Sequence, residues 1–193
     1  MRKIADLKTF RIVDAHQHRN RMEGVVTLSW PGKLYVEDDT GSLEVKLSDS
    51  PKAQVGDRVN VVGFPMLSSA RPAIEDAVVK ILDRADVPEA THTHAERVLT
   101  AEMNGRRASL EGVLLSKTQG VREFVLMLRD GNITVPVVLR RRVGRMDLEE
   151  FEIGGIIRAT GICELNESED RNSQDVRLLV DSARHIELVA PPP

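Results

Sequence analysis

The stretches "VGDRVNVVGF" at Val55–Phe64 and "IGGIIRATGI" at Ile153–Ile162 decide the fold. Each has a turn glycine, then a run rich in β-branched residues, then a second glycine near its end. They start 98 residues apart, and a second matched pair precedes them: "MEGVVTLS" at Met22–Ser29 and "LEGVLLSK" at Leu110–Lys117. Because the two pairs keep the same order, the sequence predicts two successive copies of one β-rich unit.

Each copy reads as five short β-rich segments separated by turn signals such as Pro31-Gly32 and Asp130-Gly131. A longer connector joins the third and fourth segments, and in the second copy its apolar residues, within Gly144–Gly155, fit a short helix. Five strands with such a connector are typical of the OB fold, a small, partly open Greek-key barrel. We therefore predict an all-β protein: two tandem OB-fold-like five-stranded barrels, with a short helix in the second.

The matched glycines predict where the barrels bend. Gly24 and Gly112 lie inside the first strands, and Gly63 and Gly161 hold equivalent places in the fourth strands. Glycine inside a strand marks a sharp bend or a close approach of another backbone.

The predicted organisation has an N-terminal extension at 1–20, a first barrel at 21–84, a linker at 85–104 and a second barrel at 105–190. Within the linker, the stretch "HTHAERVLTAEMN" is compatible with a short helix.

Composition argues against some partners. The net charge is −3 and the pI about 6.0, so no overall basic field attracts nucleic acid or an anionic membrane. Aromatic residues make up 3% of the chain, few for a surface that stacks bases. No apolar run reaches the roughly 18 residues of a membrane span, so we expect no membrane insertion within this chain.

Histidine pairs raise the question of a metal-dependent hydrolase. "RIVDAHQHRN" at Arg11–Asn20 looks like the first metal-ligand strand of an amidohydrolase, and a second His-x-His pair follows at His92 and His94. That enzyme class needs a helix-ringed barrel of about 250 residues, whereas this chain is shorter and its later pattern is an all-β repeat. We expect polar histidines flanking the barrels, with no metal site, no cofactor and no catalytic residue. Cys163, alone in the sequence, is expected to be a small buried hydrophobe.

Two groups of residues are the candidate ligand contacts. Trp30 and Tyr35 could stack a ligand on the face of the first barrel, although core packing is the alternative for such rings. Arg140, Arg141 and Arg142 follow the third strand of the second copy, near where many OB barrels hold a backbone. They could bind phosphate or an acidic partner, or simply protect a strand edge.

Three stretches together resemble a known family: "MEGVVTLSWPGKLYVEDDTGSLEVKLSD", "VGDRVNVVGFPMLSSARPAIEDAVVKIL" and "RLLVDSARHIELVAPPP". They resemble the extracytoplasmic OB-like tandem that precedes the membrane span in some large bacterial sensor histidine kinases. The resemblance covers most of residues 20–193. It implies a sensory or spacer region without chemistry of its own, the kinase lying across the membrane, and it provides no ligand residues.

The sequence thus favours a non-enzymatic sensory, binding or spacer module of a bacterial signalling receptor. Its partner would be an unknown small ligand or protein, and homodimerisation stays open. A receptor fragment would be extracytoplasmic (periplasmic), and a free-standing protein cytoplasmic. The alternative is a single-stranded nucleic-acid or oligosaccharide binder, because OB folds often bind such chains on their second and third strands.

Overall fold

The computed structural model describes residues 3–9, 18–66, 71–140, 148, 150–167 and 174–193. It divides into two compact units, Met1–Glu89 and Ala90–Pro193. None of the helices in the described part of the chain is long and apolar enough to span a membrane.

The first unit is a closed barrel preceded by a short helix. Its elements are a 3₁₀ helix at Ile4–Thr9, β1 (Asn20–Trp30), β2 (Lys33–Glu37), β3 (Ser42–Lys46), β4 (Asp57–Met66) and β5 (Ala73–Arg84). The strand order is β1-β2-β3-β5-β4, and β4 pairs back onto β1. All neighbours are antiparallel except β3 and β5, which run parallel. This is the strand order of an OB barrel, so the predicted fold is confirmed.

The second unit repeats this order. Its elements are β6 (Thr91–Thr93), α1 (Ala95–Val98), β7 (Arg107–Gln119), β8 (Glu123–Asp130), β9 (Ile133–Arg140), β10 (Ile156–Glu167), β11 (Gln174–Val180), a 3₁₀ helix at Ala183–His185 and β12 (Ile186–Ala190). β7, β8, β9, β11 and β10 close a barrel through the β10–β7 pairing, again with one parallel pair, β9 with β11. β12 extends the sheet beside β10. The tandem predicted from the internal repeat is therefore present.

The short helix of the second unit precedes the barrel. α1 lies within the stretch that the sequence marked as compatible with a helix. The helix predicted within Gly144–Gly155 falls largely on positions 144–147 and 149, which lie outside the described residues. The described residues 150–155 form turns, so a helix does not continue through them.

The fourth-strand glycines lie where two strands cross closely. A Cβ at Gly63 would lie 2.4 Å from Ile74 Cγ2, and one at Gly161 would lie 2.4 Å from the Leu179 carbonyl oxygen. Real Cβ atoms essentially never approach so closely, so only glycine fits without displacing β5 or β11. The glycine that recurs in the two fourth strands therefore marks the same close strand crossing in both barrels.

A helix closes one end of each barrel in the same way. In the first unit the Asp38 carboxylate, in the β2–β3 turn, accepts a hydrogen bond from the Ile4 N–H at 3.0 Å. In the second, the Asp130 carboxylate, at the β8–β9 turn, accepts one from the Ala95 N–H at 2.8 Å. Ile4, Ala95 and Val98 are buried in the barrel cores. The compact units therefore include helices from the segments predicted as an extension and a linker.

Candidate ligand-binding cleft of the first barrel

The first barrel has a cleft in its wall, beside the connector between β3 and β4. This cleft of about 690 Å³ is lined by residues 47–53 of the β3–β4 connector, by residues of β5 and by Arg19. It lies where the β3–β5 pairing ends, because β3 pairs with β5 only through Glu44–Ala73 and Val45–Ile74. Its volume falls within the range of about 300–1,000 Å³ that is usual for ligand pockets.

The floor of the cleft is apolar. Val79 and Ile81 line it, and they lie opposite the buried core residues Val61 and Val59 in the β4–β5 ladder. Ile81 is nevertheless 45% exposed. Val79 packs against the core cluster, whereas Ile81 lies at the exposed mouth of the cleft.

A β-bulge shapes one end of the cleft. The β4–β5 register shifts between Val62 and Phe64, so that Asp76 and Ala77 together face Gly63. Asp76 has a φ of 48°, in the left-handed region that non-glycine residues rarely adopt. Bulges re-aim side chains, and this one places the exposed Asp76 at the rim of the cleft.

The rim carries four charged residues of both signs: Arg19, Asp49, Lys52 and Asp76. The Arg19 guanidinium lies over the Phe64 ring, 5.3 Å from its centroid. Among the described residues, the other three make no ion pair and no side-chain hydrogen bond. Some charged side chains elsewhere are paired. Arg158, for example, bonds to both Glu111 and Glu187. The rim groups are therefore available to a ligand.

The connector before β10 in the second barrel corresponds to the connector before β4 in the first. The glycine turns correspond: Gly56 donates to the Val26 carbonyl at 2.9 Å and Gly154 to the Leu114 carbonyl at 2.8 Å. Their φ angles, 89° and 92°, also agree. Counting back three residues from each glycine reaches Ala53 in the first barrel and Phe151 in the second.

Phe151 and Leu148 are both buried in the core of the second barrel. Their counterparts in the first barrel are Ala53 and the exposed Ser50. The connector of the second barrel thus has two large apolar side chains, and the connector of the first barrel has the small side chains of alanine and serine at the same places. Ala53 is buried in the core of the first barrel, and both Ala53 and Ser50 line the cleft.

The predicted aromatic contacts lie elsewhere. Trp30 and Tyr35 are buried, with exposures of 5% and 0%. The Tyr35 ring lies beneath Arg71 and Lys33, whose charged groups are 6.0 and 5.9 Å from its centroid. Both cations also approach the buried Glu44 carboxylate. Neither aromatic ring belongs to the cleft, and their role in ligand binding stays a prediction.

The predicted arginine cluster can be placed only in part. Arg140 is the last residue of β9, where it is half-buried and lies opposite Glu123 of β8. Arg141 and Arg142 lie outside the described residues. Arg140 thus belongs to the second unit, whereas the residues that line the cleft belong to the first.

The histidines and the cysteine contribute little to a site. His92 and His94 are exposed, and His16 lies outside the described residues. Within the described ranges, no group of three His, Cys, Asp or Glu side chains is placed to hold a metal ion. Cys163 is buried, as predicted, and burial raises the pKa of its thiol to about 12.

Sequence reasoning missed Arg19, Ala53 and Asp76 as site residues. Arg19 precedes the first strand and Asp76 lies in an ordinary-looking acidic pair, so neither carries a motif. One signal was available: aligning the glycine turns places Ala53 against Phe151, and the large-to-small change marks a gap in the first barrel.

No family model matches this chain, and neither does any curated protein. Solved structures give partial similarities. Aspartyl-tRNA synthetase from Entamoeba histolytica is 20% identical with a TM-score of 0.42, over 52% of this chain and 22% of the synthetase. This chain thus spans about a fifth of that enzyme's length. A murine DNA-binding protein bound to double-stranded DNA is 14% identical with a TM-score of 0.43, over 90% of this chain and 98% of that one.

A replication protein A heterotrimer bound to single-stranded DNA is also similar, with 11% identity and a TM-score of 0.42 over 95% of this chain and 52% of that chain. At such values the fold assignment rests on the strand order and pairing. That order defines the class of this chain: it is a tandem of two OB-fold barrels.

Proposed function

We propose that this chain is a non-enzymatic recognition module in which the first OB barrel binds a ligand in its open cleft. The second barrel, in which Phe151 and Leu148 are buried in the core, would have a structural role. The observation that carries this proposal is the replacement of Phe151 by Ala53 at the same place in one repeated turn. An apolar floor with a few convergent polar groups is the usual composition of a binding site.

The proposed setting is a bacterial signalling receptor. The support is the resemblance of the three quoted stretches to the OB-like tandem of sensor histidine kinases. In that setting the cleft would receive the signal outside the cytoplasm, and a kinase in the same reading frame would transmit it. A complete reading frame without a membrane span and a kinase module would contradict this setting and leave the binding role standing.

Single-stranded nucleic acid is the second candidate ligand. The outer surface of β8 and β9 favours it, because the exposed Arg129 lies there opposite Thr134, beside the pair Met127 and Pro136. This is the OB surface that commonly binds oligonucleotides. Acidic residues outnumber basic ones in each unit, however, and the rings of Trp30 and Tyr35 are buried. The observations therefore favour the cleft.

An apolar fluorescent dye tests the cleft directly. We expect anilinonaphthalene sulfonate to bind the full-length chain, and Ala53→Phe, which places a ring where Phe151 lies in the other barrel, to weaken binding about tenfold or more. Ala53→Ser, which keeps the space open, is the matched control. Ile81→Asn offers a second route at the exposed mouth should the phenylalanine variant fold poorly. Equal dye binding by all four proteins would overturn the proposed site.

An oligonucleotide titration separates the two candidates. With a labelled oligothymidine of about 20 nucleotides, phosphate-dominated binding would fall steeply between roughly 50 and 200 mM salt. We expect no such binding by the full-length chain, and no change with Arg129→Ala. Salt-dependent binding that Arg129→Ala weakens and Ala53→Phe leaves intact would replace the cleft proposal by the nucleic-acid one.

A further inference from the structure

We propose that the ligand of the cleft is an extended peptide segment that adds as a strand to the open edge of β5. This inference rests on the proposed function of the cleft and names the chemical class of its ligand. The residues that would receive the peptide are Asp76–Ile81, with Ala53 across the cleft.

The backbone of β5 has an edge available for pairing. After Ile74 the parallel pairing with β3 ends, and β5 continues to Arg84 with β4 as its partner among the described strands. Each strand carries hydrogen-bonding groups on two sides, so the other side of this stretch can pair with an incoming chain. Strand addition to a sheet edge is a recurrent mode of peptide recognition.

The side chains along β5 suit such a neighbour on both faces. Val79 and Ile81 face the floor of the cleft, and Val78 and Leu82, on the outer face, are 59% and 39% exposed. Lys80 is the charged residue between them. Natural proteins usually protect exposed apolar edges. A peptide strand with apolar groups at successive positions would cover both rows, because its side chains alternate between the two faces and contact the residues directly opposite.

The charges on the rim favour a peptide over an anionic polymer. Arg19 and Lys52 can receive carboxylates, while Asp49 and Asp76 can receive an ammonium or guanidinium group. A peptide carries both kinds of group. A phosphate backbone would meet the two rim carboxylates at close range, where like charges repel.

Alternate N-methylation of a peptide provides a sharp test. The probe is a peptide of about six residues, which matches Asp76–Ile81 at roughly 3.3 Å per residue. It has alternating valine and threonine, with one lysine and one glutamate near its ends. A strand uses one of its edges for pairing, so methylation of one alternate set of amides should weaken binding about tenfold or more. Methylation of the other set should leave binding unchanged.

Hydrogen exchange on the full-length chain locates the contact. With the unmodified peptide, we expect amides within Asp76–Ile81 to exchange about tenfold more slowly, whereas Ala53→Phe should lose this protection and Ala53→Ser keep it. Equal binding of both methylated peptides, or protection confined to other strands, would overturn strand addition. If Ala53→Phe weakens dye binding relative to the wild type but no peptide binds, the proposed binding function of the cleft is supported and the peptide inference is rejected. If neither probe binds, both proposals fall.

Discussion

The two barrels share one design and differ in the connector between their third and fourth strands. Both have the same strand order, a helix held by an aspartate of the hairpin turn, and a left-handed glycine that bonds to the first strand. In the second barrel the connector places Phe151 in the core, and in the first barrel it places the smaller Ala53 beside the cleft. The comparison teaches that two OB barrels with the same strand order can differ in surface shape through the side chains of one connector.

The connector of the first barrel buries less apolar surface than that of the second, so it contributes less to stability. Burying a phenylalanine side chain contributes roughly 1.5–3 kcal/mol. The first connector forgoes that contribution, since Ala53 is far smaller and Ser50 is exposed. A ligand that covers Val79 and Ile81 would restore part of it, so we expect ligand binding to stabilise the first barrel.

The largest expected effect is a loss of stability of the second barrel. Phe151→Ala should lower the free energy of unfolding of the second barrel by about 3–5 kcal/mol, because it leaves a cavity in a packed core. Urea unfolding followed by circular dichroism measures this. Trp30, the single tryptophan of the chain, lies in the first unit, and its fluorescence serves as an internal control. A loss below about 1 kcal/mol would show that Phe151 does not fill the barrel.

The next effect concerns the strand crossing that the barrels share. Gly63→Ala and Gly161→Ala should each cost about 1–3 kcal/mol, because the new methyl group would overlap a neighbouring strand. Gly131→Asn is the control, since Gly131 has a positive φ of 58° but open space around it, and asparagine tolerates that conformation. Thermal unfolding of the three variants measures the difference. Similar losses in all three would contradict the role of close approach.

The smallest effect concerns the helix of the first barrel. Burial alone would raise the pKa of Asp38, but hydrogen bonds from Ile4, Thr40 and Gly41 outweigh it and hold the pKa below its ordinary value. Because the pKa is lower in the folded than in the unfolded state, this stabilisation is present above a pH of about 4 and is lost as the pH falls through the folded value.

Asp38→Asn replaces one of the two accepting oxygens by an N–H₂ donor, so it should cost about 1 kcal/mol at neutral pH, the usual net contribution of one hydrogen bond. The difference from the wild type should shrink below a pH of about 4. Unfolding by urea at several pH values measures it. Asp39→Asn, at the exposed neighbouring carboxylate that pairs with Lys3, is the control and should change little. A difference that stays constant with pH would argue against the titration of Asp38.

The candidate site was less predictable than the fold. Trp30 and Tyr35 were chosen because aromatic rings often stack ligands, yet both are buried, as their large apolar area favours. Arg19 joins the cleft from the residue before β1, and Asp76 joins through a bulge that no local pattern indicates. Such positions depend on which strands stop pairing, and that depends on contacts between residues distant in the sequence.

The sequence by itself determined the two barrels and their order. Strand periodicity, turn residues and repeated glycines act locally, and they recur at matched spacings. The two halves of the sequence can therefore be aligned with each other. Only the tertiary structure decided that a cleft lies beside the connector of the first barrel. Whether a small residue such as Ala53 leaves a space depends on what packs opposite it, and the strands that meet there are brought together only by closure of the barrel.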